Sequence, residues 1–299
     1  STRVRLSGVI RLVEIDHRRR SRTKYARLSR EAIGAARRVR PDVVFTHMLF
    51  PAGAAGAFAS IAGRAPLVVM AHGQDVANLG TVPGVSAATR MVVSRAEALI
   101  CNSSWLLDRL VEKIPAARAK STVADCGIDL DSFAPLEAAA ARAEIEWDGS
   151  GPGFVCVGSL IERKNVLRLA DAFATLGRGR LAFVGDGPLR PQLEGRDGIT
   201  LTGRIPHSEV RNWIAAADVL CQPSLIEPFG QATLEALAMA RTVVSTTVGG
   251  PPEFVAEGAG VLVDPEDTGA LAKALERAAA MPTPNPAARE AAAAHDVRV

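Results

Sequence analysis

Cysteine is scarce in this sequence, and its few residues are widely spaced. The 299 residues include only four, Cys101, Cys126, Cys156 and Cys221, with no C-x-x-C pair and no cysteine–histidine cluster. That spacing argues against a zinc site and against a thiol redox centre. Three of them, Cys101, Cys156 and Cys221, lie in or at the end of short apolar runs. Cysteine behaves there as a small hydrophobic residue, so we expect these three to be buried.

Long hydrophobic runs are also absent. No apolar stretch approaches the roughly 18 residues needed to span a bilayer. The opening residues, STRVRLSGVIRLVEIDHRRR, contain no uninterrupted apolar segment typical of a signal peptide. With 48% hydrophobic and 22% charged residues, the composition is that of a globular protein, and the length predicts two domains. We therefore expect a cytoplasmic location.

Positive charge is concentrated at the start of the chain. The net charge is +3, but residues 1–40 hold 13 Arg or Lys against three acids. The densest part is residues 18–30, with seven basic residues on a predicted helix. This segment predicts either a solvated helix face or a surface that binds anionic lipid or a phosphorylated acceptor. Binding of anionic lipid would place the protein peripherally at the inner membrane face. Nucleic acid is a poor fit because only Tyr25 is interleaved for base stacking.

Short Val- and Ile-rich runs alternate with Ala-rich helical stretches, which is typical of parallel sheets covered by helices. The sequence therefore predicts two doubly wound α/β domains, residues 1–133 and 153–299, joined by a Pro-, Ala- and Gly-containing linker at 134–152. We place the strands near residues 9–15, 43–45, 67–70, 98–101, 122–124, 154–157, 181–184, 199–201, 219–221, 243–246 and 261–263.

The segment CQPSLIEPFGQATLEALAMA carries the clearest functional pattern. A strand ends at Cys221, and a helix begins near Gln231, so Glu227 precedes the helix and Glu235 lies inside it. Free backbone N–H groups and the positive end of the helix dipole favour a diphosphate or sugar hydroxyls at such a point. Taken alone, two glutamates eight residues apart are commonplace, and one acid at the helix start plus one solvated acid on the helix would account for them.

This segment resembles the E-x7-E signature of the family-4 retaining glycosyltransferases. FVCVGSLIERKNVLRLADAFA is similar to the family's opening strand and lysine loop of the nucleotide domain. Further segments match the family pattern in order, and the resemblance covers residues 42–280: PLVVMAHGQDV, CGIDLDSFAP, LAFVGDGPLR, ITLTGRIPHSEVRNWIAAADVLCQPS and TTVGGPPEFVAEGAGVLVDPED.

The resemblance implies two facing Rossmann-like domains of the GT-B type. The first domain would bind the acceptor, and the second would bind the donor nucleotide sugar. No opening strand with a Gly-rich loop is recognised in the first domain, and the chain stops at AAAAHDVRV. We therefore expect an N-terminally shortened member of the family.

The resemblance also implies roles for individual residues. Glu227 would face the donor sugar and Glu235 would hold the ribose diol. Lys164 would neutralise the diphosphate, as a compact ammonium does well. Many family members have arginine at the position of Ser159, and Arg163 is the candidate substitute. The remaining expected donor contacts are Gly158, Phe229, Gly230, Gln231, Arg204 and Ile205.

In the first half, His72 of the HGQD segment is expected to contact the donor sugar or the departing phosphate, with Asp75 behind it or at the acceptor. Gly249 and Gly250 are interpreted as turn residues. Asp129 and Asp131 form a D-x-D pattern, which holds a metal in other glycosyltransferases. Here it falls in a segment that the family uses structurally, so we expect no metal site.

The predicted function is metal-independent, retaining transfer of a sugar from a nucleoside-diphosphate sugar to an unidentified hydroxyl, with no cofactor. The alternative is a nucleotide-sugar-binding protein or an inactive fragment, in either case without turnover. Other enzyme classes lack their motifs: VGDGPLR has Arg190 in place of the third glycine of a dinucleotide fingerprint, and neither a P-loop nor a G-x-S-x-G elbow is present.

Overall fold

A computed structural model describes residues 24–147 and 149–298, and within them it contains two β-sheets flanked by helices. The first sheet has the strand order β1-β2-β3-β4 and the second has the order β10-β9-β8-β5-β6-β7. The strands are β1 Val44–His47, β2 Leu67–Ala71, β3 Ala98–Cys101, β4 Ser121–Val123, β5 Gly153–Val157, β6 Arg180–Val184, β7 Ile199–Gly203, β8 Val219–Gln222, β9 Thr242–Thr246 and β10 Gly260–Val263.

Most strands of the described residues are joined by α-helices. The helices of the same residues are α1 Lys24–Val39, α2 Ala52–Gly63, α3 Gln74–Ala77, α4 Val85–Arg95, α5 Ser104–Lys113, α6 Ala138–Glu144, α7 Val166–Leu176, α8 His207–Ala216, α9 Gln231–Ala238, α10 Thr268–Ala279 and α11 Pro286–Ala293. None of them is long and apolar enough to cross a membrane.

The chain forms two compact units, which divide between Leu99 and Ile100. In the first unit, β1 and β2 pair in parallel, with Val44 opposite Leu67. Leu67 and Val69 are fully buried, and Val92 of α4 is buried with them. Successive side chains of β2 therefore alternate between buried and partly exposed, as expected for a strand covered by helices on one face.

All five strand pairs of the second sheet are parallel. Its central strands are continuously apolar because both faces are covered. One face packs with α8, α9 and α11 around Val155 and Leu220, and the other packs with α7 and α10 around Phe154 and Cys221. The strand order reverses between β5 and β8, so this sheet has a topological switch point at their carboxyl ends.

The predicted strands agree closely with the structure. Ten of the eleven are confirmed with shifts of at most two residues at their ends, and the eleventh, at 9–15, lies outside the described residues. The expectation of two α/β domains with parallel sheets is confirmed. Only the second sheet reverses its strand order and is covered by helices on both faces within the described residues. Burial of Cys101, Cys156 and Cys221 is confirmed as well, while Cys126 is exposed.

The described residues of the predicted linker form no strand, and they pack against the second sheet. It includes α6, where the Arg142 guanidinium donates to the Ala216 carbonyl at 2.7 Å and to both oxygens of Asp218 at 3.0 Å. Trp147, three residues after α6, lies under the Arg180 guanidinium at 4.7 Å. The assignment of 134–152 as the domain boundary stays a prediction.

Candidate active site

The switch point of the second sheet is built from two loops that follow neighbouring strands. The lysine loop, residues 158–165, follows β5, and the glutamate loop, residues 223–230, follows β8. Because both strands are parallel and adjacent, these loops leave the same edge of the sheet. Ligands of open α/β sheets bind in this crevice.

The loops are tied together by a buried asparagine. Asn165 adopts a left-handed conformation, with φ of 59°, and its side-chain amide donates to the carbonyls of Pro223 and Pro265 at 3.0 and 2.7 Å. The Leu225 amide also donates to the Arg163 carbonyl at 2.9 Å. These hydrogen bonds therefore fix the position of the lysine loop relative to the glutamate loop in the ligand-free protein.

Lys164 and Glu227, which are 63 residues apart in sequence, form an ion pair between these loops. The Lys164 Nζ lies 2.5 Å from Glu227 Oε2, and their side chains are 16% and 10% exposed. The Ser224 hydroxyl donates to the same carboxylate oxygen at 3.0 Å. Gly158 adjoins the pair, since a Cβ at its position would lie 3.6 Å from Lys164 Cε. The structure thus brings together three residues that the sequence analysis assigned to the donor site.

The backbone of Glu227 is fixed by the turn at Gly249. The Glu227 amide donates to the Val248 carbonyl at 3.0 Å, and the Gly250 amide donates to the Glu227 carbonyl at 2.9 Å. A Cβ on Gly249 would lie 1.9 Å from that carbonyl oxygen, and its φ is +130°. Only glycine fits there, which confirms the interpretation of Gly249 as a turn residue and shows that this turn positions Glu227.

Glu235 lies on α9 and is almost completely buried, at 6% exposure. Burial raises the pKa of Glu235 to about 7, against an ordinary value of 4.5, with a hydrogen bond from Gln231 opposing the shift. His207 at the start of α8 places Nε2 3.8 Å from Glu235 Oε1 and is itself exposed. A carboxylate with so few partners is suited to accept hydrogen bonds from a ligand that covers it.

Several other residues expected at the donor use their side chains within the protein. Phe229 is buried against Phe254, with ring centroids 5.5 Å apart, and Gln231 donates to the Gly127 carbonyl at 3.3 Å. Arg163 donates to the Ile226 carbonyl at 3.0 Å, so its guanidinium supports the glutamate loop. Their donor contacts stay predictions.

The remaining expected donor residues lie at two helix starts. Gly230 precedes α9 and has a φ of 104°, a backbone conformation that favours glycine. After β7, the Arg204 side chain is exposed, and Ile205 packs against the core layer beside α8. Their contact with a nucleotide stays a prediction.

In the first unit, His72 follows β2 and meets a second histidine that the sequence analysis did not single out. His72 Nε2 lies 2.8 Å from Nδ1 of His47, the last residue of β1. Burial lowers the pKa of His72; the charge of Asp75 opposes this shift, and His47 adds to it. The predicted role of His72 toward the donor stays a prediction.

Asp75 has a structural task in this unit. It is fully buried, and its carboxylate accepts the amides of His72 and Gly73 at 3.1 and 2.9 Å and the Leu49 amide at 2.7 Å. These bonds join the ends of β1 and β2. Asp75 therefore aligns His47 with His72.

The D-x-D residues are engaged in local contacts. Asp129 accepts hydrogen bonds from the Asp131 amide and the Ser132 hydroxyl, at 3.0 and 2.7 Å. Asp131 pairs with Arg298 at 2.5 Å. The two carboxylates thus have different partners.

Sequence reasoning missed Gln222 and Ser224 beside the ion pair. Gln222 ends β8 and is 1% exposed, and Ser224 is fully buried. The available signal was a polar residue closing an apolar strand, which alone does not distinguish a site from a loop start.

Solved structures share this fold. Anabaena HepE in complex with UDP-glucose superposes with a TM-score of 0.78, covering 92% of this chain and 79% of HepE at 21% identity. The sucrose-phosphate synthase of Thermosynechococcus elongatus gives 0.77, covering 92% and 75% at 23% identity. The fold is the GT-B architecture of glycosyltransferases, with two parallel-sheet α/β domains.

Sequence comparison narrows this class to a family. Residues 4–132 match Glycosyltransferase Family 4, and residues 151–280 match Glycosyl transferases group 1. The chain belongs to glycosyltransferase family 4.

Relatives within the family act in different settings. The putative teichuronic acid biosynthesis glycosyltransferase TuaC of Bacillus subtilis is 30% identical, covering 79% of this chain and 61% of TuaC. The D-inositol 3-phosphate glycosyltransferase of Streptomyces avermitilis is 32% identical, covering 68% of this chain and 49% of that enzyme. The alpha-maltose-1-phosphate synthase of Mycolicibacterium smegmatis is 31% identical, covering 79% of this chain and 68% of that enzyme. The chain spans about half to two thirds of the length of these relatives.

Proposed function

We propose that this chain is a retaining glycosyltransferase that moves a sugar from a nucleoside-diphosphate sugar to an acceptor hydroxyl. The observation that carries the proposal is the largely buried Lys164–Glu227 pair beside Gly158 at the switch point of the second sheet. A cation and a carboxylate at the carboxyl ends of parallel strands suit a substrate with an anionic and a hydroxyl-bearing part. The complex of HepE with UDP-glucose supports a ligand of this class.

Each residue has a defined task in this proposal. Lys164 neutralises the diphosphate, Glu235 accepts the ribose diol, and Glu227 accepts hydroxyls of the donor sugar and stabilises positive charge developing at its anomeric carbon. The bond from that carbon to the diphosphate oxygen breaks while the bond to the acceptor oxygen forms on the same face. The departing diphosphate takes the proton of the attacking hydroxyl. Lys164 supplies the cation for the leaving group, so the chemistry proceeds without a metal ion.

The direct test is a thermal-shift screen against UDP-, GDP- and ADP-glucose. A donor at 100 times its dissociation constant adds about 2.7 kcal/mol of stability, which raises the melting temperature. Lys164→Met should lose the shift, and Lys273→Met, an exposed lysine of α10, should keep it. No shift with any donor over a wide concentration range would contradict the proposed function.

Turnover separates the enzyme from a protein that only binds nucleotide sugars. We expect the donor that gives the largest shift to be hydrolysed slowly in the absence of an acceptor, since water can replace the attacking hydroxyl. Glu227→Gln should abolish this hydrolysis. Tight binding without hydrolysis in the unsubstituted protein would favour the binding-only alternative.

Chelation tests the metal-independent part of the proposal. Donor hydrolysis is expected to persist in excess EDTA because Lys164 provides the positive charge at the diphosphate. Loss of hydrolysis, with recovery on adding magnesium or manganese, would make Asp129 and Asp131 candidate ligands again.

We further propose that the basic segment 18–30 brings the protein to anionic membranes. Its residues Arg27 and Arg30 are exposed on α1, and Arg18, Arg19, Arg20 and Arg22 lie outside the described residues. Each basic residue near such a surface contributes about 1 kcal/mol, and salt screens the attraction with a Debye length of about 8 Å at physiological strength. The protein should therefore sediment with phosphatidylserine vesicles at low salt and not with neutral vesicles.

A matched pair of variants sharpens this experiment. Arg27→Gln/Arg30→Gln should sediment less, while Arg211→Gln/Arg277→Gln removes the same charge from exposed positions of α8 and α10 and should sediment as before. If the unsubstituted protein stays in the supernatant with anionic vesicles at low salt, the membrane proposal is wrong and the segment is a solvated face or serves a soluble phosphorylated acceptor.

A further inference from the structure

Gln222 is a fully enclosed amide next to the ion pair. It is the last residue of β8 and is 1% exposed, in a strand whose other residues are Val219, Leu220 and Cys221. Burying an amide in such a strand is costly unless its hydrogen bonds are satisfied, and an apolar side chain would fill the same space without that cost. The presence of glutamine therefore needs partners that repay its desolvation.

Both ends of the amide find a partner in the lysine loop and its strand. The hydrogen-bond partners fix the orientation of the amide, with its oxygen toward Lys164. In this orientation the oxygen accepts from Lys164 Nζ at 2.8 Å and the nitrogen donates to the Val157 carbonyl at 3.2 Å. Gly158 leaves this space open, since a Cβ at its position would lie 4.0 Å from the amide oxygen in this orientation. Gln222 thus connects the lysine ammonium to the end of β5.

The ammonium consequently has two acceptors of different charge. An ammonium carries three N–H groups; Glu227 Oε2 takes one and the Gln222 oxygen takes a second, with no further partner for Nζ among the described residues. Glu227 is negative and would compete with a diphosphate for the lysine, whereas Gln222 is neutral and does not repel the diphosphate. A carboxylate at position 222 would repel it.

We propose that Gln222 is a positioning residue that holds the Lys164 ammonium toward the donor diphosphate when the carboxylate of Glu227 turns to the donor sugar. This inference rests on the proposed function. It assigns the neutral amide, which is not part of the E-x7-E pattern, the task of keeping the cation in place through the ligand exchange. The third N–H of the ammonium is then left for a phosphate oxygen.

The test compares a diphosphate with a ligand that lacks it. Calorimetry would measure UDP, GDP and ADP and, for the tightest of the three, the matching nucleoside. Gln222→Met keeps the length of the side chain and removes the acceptor, and we expect it to weaken the diphosphate about tenfold, the scale of one hydrogen bond to a charged group. The nucleoside should bind within twofold of its original affinity, because only the phosphates meet Lys164.

Two further variants keep the result interpretable. Gln222→Glu conserves the shape and should weaken the diphosphate at least as much, since the added carboxylate competes for the ammonium. Ser245→Ala changes a buried polar residue of the neighbouring β9, whose hydroxyl lies 3.4 Å from the Thr233 hydroxyl and donates to the backbone carbonyl of Gln222 at 3.4 Å. It leaves the Gln222 side-chain amide in place, so both affinities should be unchanged.

Two outcomes would overturn the assignment of Gln222 alone. They are an unchanged diphosphate affinity in both Gln222 variants, and equal losses for diphosphate and nucleoside, which indicate a general distortion of the loop. Failure of the unsubstituted protein to bind any of the three diphosphates would instead reject the proposed function, and the role of Gln222 with it.

Discussion

Replacing Glu235 by glutamine is expected to stabilise the ligand-free protein by about 3 kcal/mol at pH 8. Burial raises the pKa of Glu235 to about 7, well above its ordinary value of 4.5, and one pKa unit corresponds to about 1.4 kcal/mol. Between these two values the native chain holds a proton that the unfolded chain has released, so stability falls as the pH rises through this window. The cost is complete above pH 7, and glutamine, which is neutral at every pH, avoids it.

The pH dependence provides the control for this prediction. At pH 5 the same substitution should change the free energy of unfolding by less than about 1 kcal/mol, because Glu235 is then neutral in the native state. Urea unfolding of both proteins at pH 5 and pH 8 measures the difference. If the substitution changed the free energy of unfolding by the same amount at both pH values, the Glu235 carboxylate would not be desolvated as the structure has it.

The same substitution is expected to harm ligand binding. A ribose diol donates hydrogen bonds, so it favours the ionised carboxylate, and nucleoside-diphosphate affinity should fall about tenfold for each pH unit below 7. Glu235→Gln or Glu235→Ala should weaken binding at pH 8 by about 1.5 to 3 kcal/mol. A variant that is more stable yet binds the diphosphate as before would disprove the ribose role of Glu235.

The strands were predictable because buried parallel strands consist of short, continuous runs of apolar residues. FVCV, LAFV and VLC each lie between two helical layers, so nothing in their environment competes with the local pattern. The division of the chain is harder to predict, since the segment 134–152 has a linker-like composition and yet includes α6, which is held by Arg142 and Asp218. Packing of that kind depends on residues far away in sequence.

The site was predictable only in part, for the same physical reason. Lys164 and Glu227 were identified through the family resemblance, but no spacing within either segment indicates that they form an ion pair across 63 residues. Gln222 and His47 carry no motif, and each is simply a polar residue that closes a strand. What gives these two residues a partner is strand adjacency, with β8 beside β5 and β1 beside β2.

Breaking the Lys164–Glu227 pair from one side is expected to destabilise the protein strongly. Lys164→Met leaves the Glu227 carboxylate in a site where it is only 10% exposed, and removal of one partner of a buried ion pair typically costs about 3 to 5 kcal/mol. The double variant Lys164→Met/Glu227→Gln leaves no unpaired charge and should recover most of this loss. Urea unfolding at pH 8 measures both effects, and a single variant as stable as the unsubstituted protein would show that the pair is not desolvated.

Binding separates the two members of the pair. Lys164→Met should lose affinity for the nucleoside diphosphate, because the phosphates lose their cation, and the double variant should not regain it although it regains stability. Glu227→Gln should keep diphosphate affinity nearly unchanged and lose donor hydrolysis, since its carboxylate acts on the sugar and not on the phosphates. Calorimetry with the best-binding diphosphate decides between these roles: equal losses for Glu227→Gln and Glu235→Gln would mean that the two glutamates do not act on different parts of the donor.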